Sequence, residues 1–147
     1  MAEQDTPLAL VVEDEALLGL LVEHILGAEG FHVLHAMTEA EAEYHAGMAR
    51  IDLAIVNLRL HGDLAGQRVI RQLRSRFPGL PVVVITGFSA DDPIADLRGL
   101  GGPTARLGKP QGYSVLASTV WALMKRAGTK ESDASRRRAT DTGVQRR

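Results

Sequence analysis

Residues 8–15 read Leu8-Ala9-Leu10-Val11-Val12-Glu13-Asp14-Glu15, an unbroken apolar run followed at once by carboxylates. A run this short, with no polar residue on either side of a pleat, reads as a strand buried on both faces, and the acids mark where it emerges. The pattern recurs along the chain. Phe31-His32-Val33-Leu34-His35 follows Gly30, Leu53-Ala54-Ile55-Val56 ends at Asn57, Val82-Val83-Val84-Ile85 ends at Thr86, and a weaker run from Thr104 to Leu107 ends before Lys109-Pro110. Between the runs lie helical stripes: Leu18, Leu21, Val22 and Ile25; then Gly66, Ile70, Leu73 and Phe77; then Leu116, Thr119, Val120 and Leu123. Thr38 with Glu41 three residues on predicts a capping box that opens a further helix, and a short helix near Asp91 is interrupted by Pro93.

Strand and helix in strict alternation, joined by short links, predict an α/β fold with a parallel sheet, because parallel neighbours need a crossover. The expected architecture is a doubly wound, flavodoxin-like (βα)5 unit with strand order 2-1-3-4-5. Sites in such sheets lie outside the carboxyl ends of the strands, around the point where the order reverses. That rule selects Glu13 and Asp14 after strand 1, Asn57 after strand 3, Thr86 after strand 4 and Lys109 after strand 5.

Composition bounds the alternatives. The chain has 147 residues, 45% hydrophobic and 24% charged, with a formal net charge of −1, which suits one domain of roughly 100 to 150 residues plus a tail. Near-neutral charge argues against a nucleic-acid binder held by bulk electrostatics, so no direct DNA binding is expected. The absence of cysteine removes disulfides, thiol catalysis and Cys-ligated metal clusters. Glu3 and Asp5 stand where a signal peptide carries basic residues, and no apolar run approaches the roughly 20 residues of a membrane span, so the reading is a soluble, cytoplasmic protein. From Ala127 onward, Lys130, Arg136, Arg137, Arg138, Arg146 and Arg147 outnumber Glu131, Asp133 and Asp141, and Val144 is the one large aliphatic residue. Residues 127–147 therefore read as a basic, flexible extension of a domain spanning 7–126.

The selected residues make a recognisable set of chemical tools. Two adjacent carboxylates form a hard-oxygen site of the kind magnesium uses, and a hydroxyl and an ammonium opposite them suit an arriving phosphoryl group. A nucleophile is missing. An aspartate at position 57 would attack a phosphoryl donor; the amide nitrogen of Asn57 is conjugated with its carbonyl and is nearly non-nucleophilic. Taken singly, Thr86 is an ordinary β-branched strand residue, Lys109 an ordinary loop lysine, and Glu13-Asp14 an acidic pair at a helix N-terminus. His24, His32, His35 and His45 form no i, i+4 pair with a third ligand, so no metal is assigned to them.

Taken together and in this order, Val11-Val12-Glu13-Asp14-Glu15, Asp52 to Leu60, Val84-Ile85-Thr86-Gly87 and Gly108-Lys109-Pro110 resemble the receiver domain of bacterial two-component response regulators, over residues 7 to 126. The resemblance implies magnesium held by Glu13, Asp14, the residue at 57 and the backbone carbonyl of Arg59, with affinity weakened by the neutral Asn57. It implies phosphotransfer from a sensor histidine kinase with Thr86 and Lys109 as catalytic residues. It also implies a switch that moves an aromatic residue on strand 5 and remodels the face of the fourth helix, strand 5 and the fifth helix. Two positions depart from that pattern: the acceptor slot holds Asn57, and the aromatic slot holds Arg106. His61-Gly62 stands where Pro-Gly is frequent, and reads as a solvated loop histidine.

Two functional classes follow. In one, the chain is a single-domain pseudo-receiver, not an enzyme, that signals by protein contacts. In the other, it is an ordinary phosphoaccepting receiver whose acceptor aspartate was replaced by Asn57. Arg106 is a second departure that such a replacement does not explain. A flavin-binding reading fails because Glu13-Asp14-Glu15 would repel a phosphate without a metal. The expected partners are a sensor histidine kinase and a second copy of the chain, the latter through the strand 5 face with Arg106, Tyr113 and Trp121.

Overall fold

The computed structural model describes residues 6–87 and 97–141, and each apolar run forms a strand: β1 (Leu8–Val12), β2 (His32–Ala36), β3 (Leu53–Asn57), β4 (Val82–Thr86) and β5 (Thr104–Gly108). All neighbours pair in parallel, in the order β2-β1-β3-β4-β5. The helices are α1 (Ala16–Ala28), α2 (Glu39–Met48), α3 (Gly66–Arg76) and α4 (Leu116–Asp141), the last preceded by a 3-10 turn at Gln111–Val115. The helix expected near Asp91, with Pro93, lies outside the described residues. α4 continues past the expected domain end at Arg126; the residues that carry it on to Asp141 include alanines, Lys130, Glu131 and three arginines and no proline, a composition compatible with helix.

The period of two along the strands sorts the core into two layers. Leu10, Val12, Ala54, Val56, Val82 and Val84 face α2 and α3 and pack with Ala42, Ala46, Val69, Ile70 and Leu73. Ala9, Val11, Leu53, Ile55, Val83 and Ile85 face α1 and α4 and pack with Val22, Leu26, Leu116, Val120 and Leu123. The central strands are buried on both faces, whereas the edge strands β2 and β5 are only half-buried, which explains their weaker apolar patterns. Thr38 caps α2 as expected, accepting from the Glu41 amide at 3.0 Å, while Glu41 Oε1 accepts from the Met37 amide at 2.6 Å.

α1 departs from its expected stripe. It buries Gly19, Val22 and Leu26, and Leu21 is 39% exposed. The helix has turned its glycine toward the sheet because the His35 ring occupies the place where a side chain at position 19 would lie. A second helix–sheet contact depends on glycine at Gly66, the start of α3, where a Cβ would stand 2.5 Å from Leu58 Cα and 2.7 Å from the Asn57 carbonyl oxygen. At the far end of the sheet the buried Arg74 donates to the carbonyls of Leu80 at 3.0 Å, Leu100 at 3.3 Å and Pro103 at 2.6 Å, tying α3 to the loops that launch β4 and β5.

Gly66→Ala sets a methyl against backbone that has no rotamer to yield, so it is expected to lower stability by about 1–3 kcal/mol, the cost typical of overpacking. Urea unfolding of the variant beside the parent protein measures this, and an unchanged midpoint would refute the close approach.

Candidate functional site

The acidic pair is fixed first by its backbone. The Glu13 amide donates to Ala36 O at 3.0 Å, and the Glu13 carbonyl accepts from His35 Nε2 at 2.9 Å. The end of β2 thus holds both backbone polar groups of one residue, and the Glu13 side chain turns inward, where it is buried. Its Oε2 accepts from the Glu15 amide at 3.2 Å and from Asn57 Nδ2 at 3.1 Å, and its Oε1 accepts from Lys109 Nζ at 3.2 Å. Asp14 is less enclosed. Its Oδ1 lies 3.4 Å from Asn57 Nδ2, and its Oδ2 accepts from the His61 amide at 2.9 Å.

The strand register brings these groups level. Val12 pairs with Val56, Asn57 with Ile85, and Thr86 with Gly108, so β1, β3, β4 and β5 end on one rim. Thr86 is buried, and its carbonyl accepts from the Lys109 amide at 2.9 Å. Lys109 is thereby held by its backbone at β4 and by its ammonium at β1; its side chain is 19% exposed, so the pair with Glu13 is largely removed from water. Glu13, Asp14, Asn57 and Lys109 are joined by side-chain hydrogen bonds, and Thr86 ends β4, between the strands that deliver Asn57 and Lys109.

The remaining predicted residues are distributed differently. Arg59 is exposed, with Nη1 donating to Gly62 O at 3.2 Å. Arg106 lies on β5 beside Val84, half-buried. Tyr113, in the 3-10 turn, buries its hydroxyl, which has no hydrogen-bond partner among the described residues. Burial and the charges of Glu13 and Glu15 push that hydroxyl up to about 12, and Tyr113 packs in the same core layer as Ala105 and Leu107 of β5. Trp121 departs from the strand 5 face: its ring packs on Phe31 with centroids 5.2 Å apart, and Nε1 donates to Glu29 Oε1 at 2.8 Å. Both partners lie where α1 passes into β2, because Trp121 is on the side of α4 that meets α1.

His61 has more to do than a solvated loop histidine. Leu60 and Asp63 exchange backbone hydrogen bonds of 2.8 and 2.9 Å across His61 and Gly62, whose φ angles are 52° and 76°. Consecutive left-handed residues make the tight turn for which glycine is favoured and histidine is not. The turn aims the His61 amide at Asp14, and the ring Nε2 bonds to Met37 O at 3.0 Å. A His-Gly pair announces a turn, but neither long-range partner is readable from it. His35 was missed for a related reason, since its partner is a backbone carbonyl across the sheet.

The two carboxylates titrate in opposite directions. Burial pushes the Glu13 carboxyl above its ordinary value, more than the Glu15 amide and the Lys109 ammonium pull it down. Partial burial acts on Asp14 in the same sense, but the His61 amide and the bond shared with Glu13 outweigh it and hold Asp14 below its ordinary value. As a ligand set, two carboxylates aimed at one point suit a hard cation. Asn57, however, presents N–H groups to that point, and only its oxygen, which is neutral, can serve a metal.

The family described as response regulator receiver domain matches residues 9–118 of the chain. The probable transcriptional regulatory protein TcrX of Mycobacterium tuberculosis is 33% identical over 125 residues, 84% of this chain and 52% of its own length. The two-component response regulator PhoP of Pseudomonas aeruginosa is 35% identical over 120 residues, 80% of this chain and 52% of its own. This chain thus spans about half the length of the curated relatives it matches. Among solved structures, a response regulator from Thermotoga maritima aligns with a TM-score of 0.70 and 27% identity, covering 82% of this chain and 98% of that one.

The raised Glu13 gives a signed pH effect. A carboxyl whose folded pKa exceeds its unfolded value contributes stability that is present below the unfolded value, 4.5, and is lost as pH rises through the folded one. Glu13→Gln removes that titration. The stability of the parent protein relative to Glu13→Gln, from urea unfolding between about pH 4 and pH 8, is expected to fall as pH rises; a constant difference would refute the burial penalty.

Proposed function

Since the chain belongs to the response regulator receiver domain family, we propose that it is a pseudo-receiver: a binding module of two-component signalling that engages a sensor histidine kinase and does not accept phosphate at position 57. The observation that carries this reading is the Asn57 amide, which donates to Glu13 at 3.1 Å and faces Asp14 at 3.4 Å. The nitrogen turned into the site has no available lone pair with which to attack phosphorus. Thr86 and Lys109 keep the positions of a phosphotransfer site, but nothing between them can form the new bond, and on this reading the chain is not an enzyme.

Magnesium fits the site poorly. Glu13 and Asp14 would hold it, with the Asn57 oxygen and the Arg59 carbonyl as neutral ligands, and once bound it would supply positive charge to the oxygens of a phosphoryl group. To enter it must displace the amide donor, and it meets two anionic ligands rather than three, so binding is weak. The reading that Asn57 replaced an aspartate by design leaves Arg106 at the strand 5 slot unexplained. On the pseudo-receiver reading Arg106 belongs to a contact surface, and self-association runs across β5, an edge strand of the sheet. Trp121, turned toward Phe31, stands on the α1 side of α4 and is 42% exposed.

Intact-mass spectrometry after incubation with a phosphorylated histidine kinase or a small phosphodonor is expected to show no acid-labile phosphoryl group on the protein. A species heavier by one phosphoryl group would overturn the reading, whereas labelling confined to Asn57→Asp would agree with it. Arg106→Ala is expected to weaken self-association by about 1 kcal/mol or more while the fold is kept. Analytical ultracentrifugation checks this, and a monomer at every concentration in both proteins would remove the homodimer and leave the kinase contact.

A further inference from the structure

His35 is unlike the other histidines of the chain in what surrounds it. Its ring lies against α1 at Gly19, where an added Cβ would overlap the ring atoms. Its Nε2 meets the carbonyl oxygen of Glu13 at 2.9 Å, and since a carbonyl only accepts, Nε2 is the donor. The amide of Glu13 is meanwhile bound by Ala36 O. Both polar groups at the turn out of β1 are therefore fixed from β2, and only the carbonyl bond is made by a side chain.

The next peptide depends on that bond. The Glu13 carbonyl belongs to the peptide that carries Asp14, and the two carboxylates meet Asn57 Nδ2 only while Glu13 and Asp14 keep this backbone orientation. An unbound carbonyl would be free to turn toward water and would swing the Asp14 side chain with it. We propose that His35 is a positioning residue: wedged on Gly19, it fixes the Glu13 carbonyl and so holds the acidic pair in register with the Asn57 amide. It acts through the backbone and touches neither carboxylate. The proposal rests on the reading of Asn57 as the donor that closes the site.

Asn57 is the only asparagine in the chain, so protein labelled with 15N-asparagine shows one side-chain amide pair in a proton–nitrogen correlation spectrum. In the parent protein the pair is expected to lie away from free-amide positions and to exchange slowly with solvent. His35→Phe keeps the flat ring and loses the donor; the pair should move to free-amide positions, and its exchange should accelerate about tenfold, the change expected for one lost charge-assisted hydrogen bond. His35→Gln carries an N–H at nearly the same reach and should preserve the parent pattern. Gly19→Ala, which perturbs the ring from the helix side, should reproduce His35→Phe and serves if that variant does not fold. Unlabelled backbone amides of the core strands, followed by hydrogen exchange, report the fold separately.

The proposal is overturned if folded His35→Phe or Gly19→Ala leaves the Asn57 pair where it was, or if His35→Gln moves it as far as His35→Phe does. A parent protein whose Asn57 pair already sits at free-amide positions overturns the reading of Asn57 itself, a result distinct from either of these.

Discussion

In a parallel sheet every strand delivers its carboxyl end to the same rim, and here that rim must neutralise two adjacent carboxylates, one of them buried. Much of the local structure answers this constraint. The ammonium comes from the end of β5, the amide from the end of β3, and two backbone N–H groups from Glu15 and from the turn after β3. No one donor offsets the desolvation of an ionised carboxylate, and a lone ion pair largely out of water gains little over the cost of burying it. The set suffices because each donor serves a different oxygen or lone pair.

The pair also divides its labour by depth. Glu13 lies inside and is pushed toward its neutral form, whereas Asp14 lies at the mouth and is held in its charged form. The carboxylate nearer solvent is therefore the one whose charge persists. A donor on the outside of the site, such as the His61 amide, meets a reliably ionised partner, while the inner acid is balanced between its ammonium and its burial. The same charges act on their surroundings: with burial, those of Glu13 and Glu15 push the Tyr113 hydroxyl up to about 12 and hold it in its neutral form.

The fold was legible because its signal is one-dimensional. Apolar runs such as Val82 to Ile85, set between helical stripes, can be counted along the chain, and the alternation forces a parallel sheet. The rim followed from it, since a rule about strand ends selects Glu13, Asp14, Asn57, Thr86 and Lys109 without knowledge of any distance. What sequence could not give was direction. The expected stripe on α1 included Leu21, yet the helix rotates to admit His35 against Gly19. Trp121 and Tyr113 share a short stretch of chain, but the angular step along α4 sends the Trp121 ring to Phe31, while Tyr113, in the 3-10 turn, packs in the layer of Ala105 and Leu107. His61 and His35 act through backbone partners, which carry no residue identity and leave no pattern in composition.

The Asn57 amide decides what a carboxylate at this position would cost. Asparagine and aspartate codons differ in one base, so the genetic distance to an acceptor is minimal, but the physical distance is larger. A carboxylate there exchanges a donor that satisfies two acids for a third negative charge beside them, with Lys109 as the only ammonium among the described residues that reaches the cluster. A carboxylate at position 57 would make a rim that repels itself until a cation arrives.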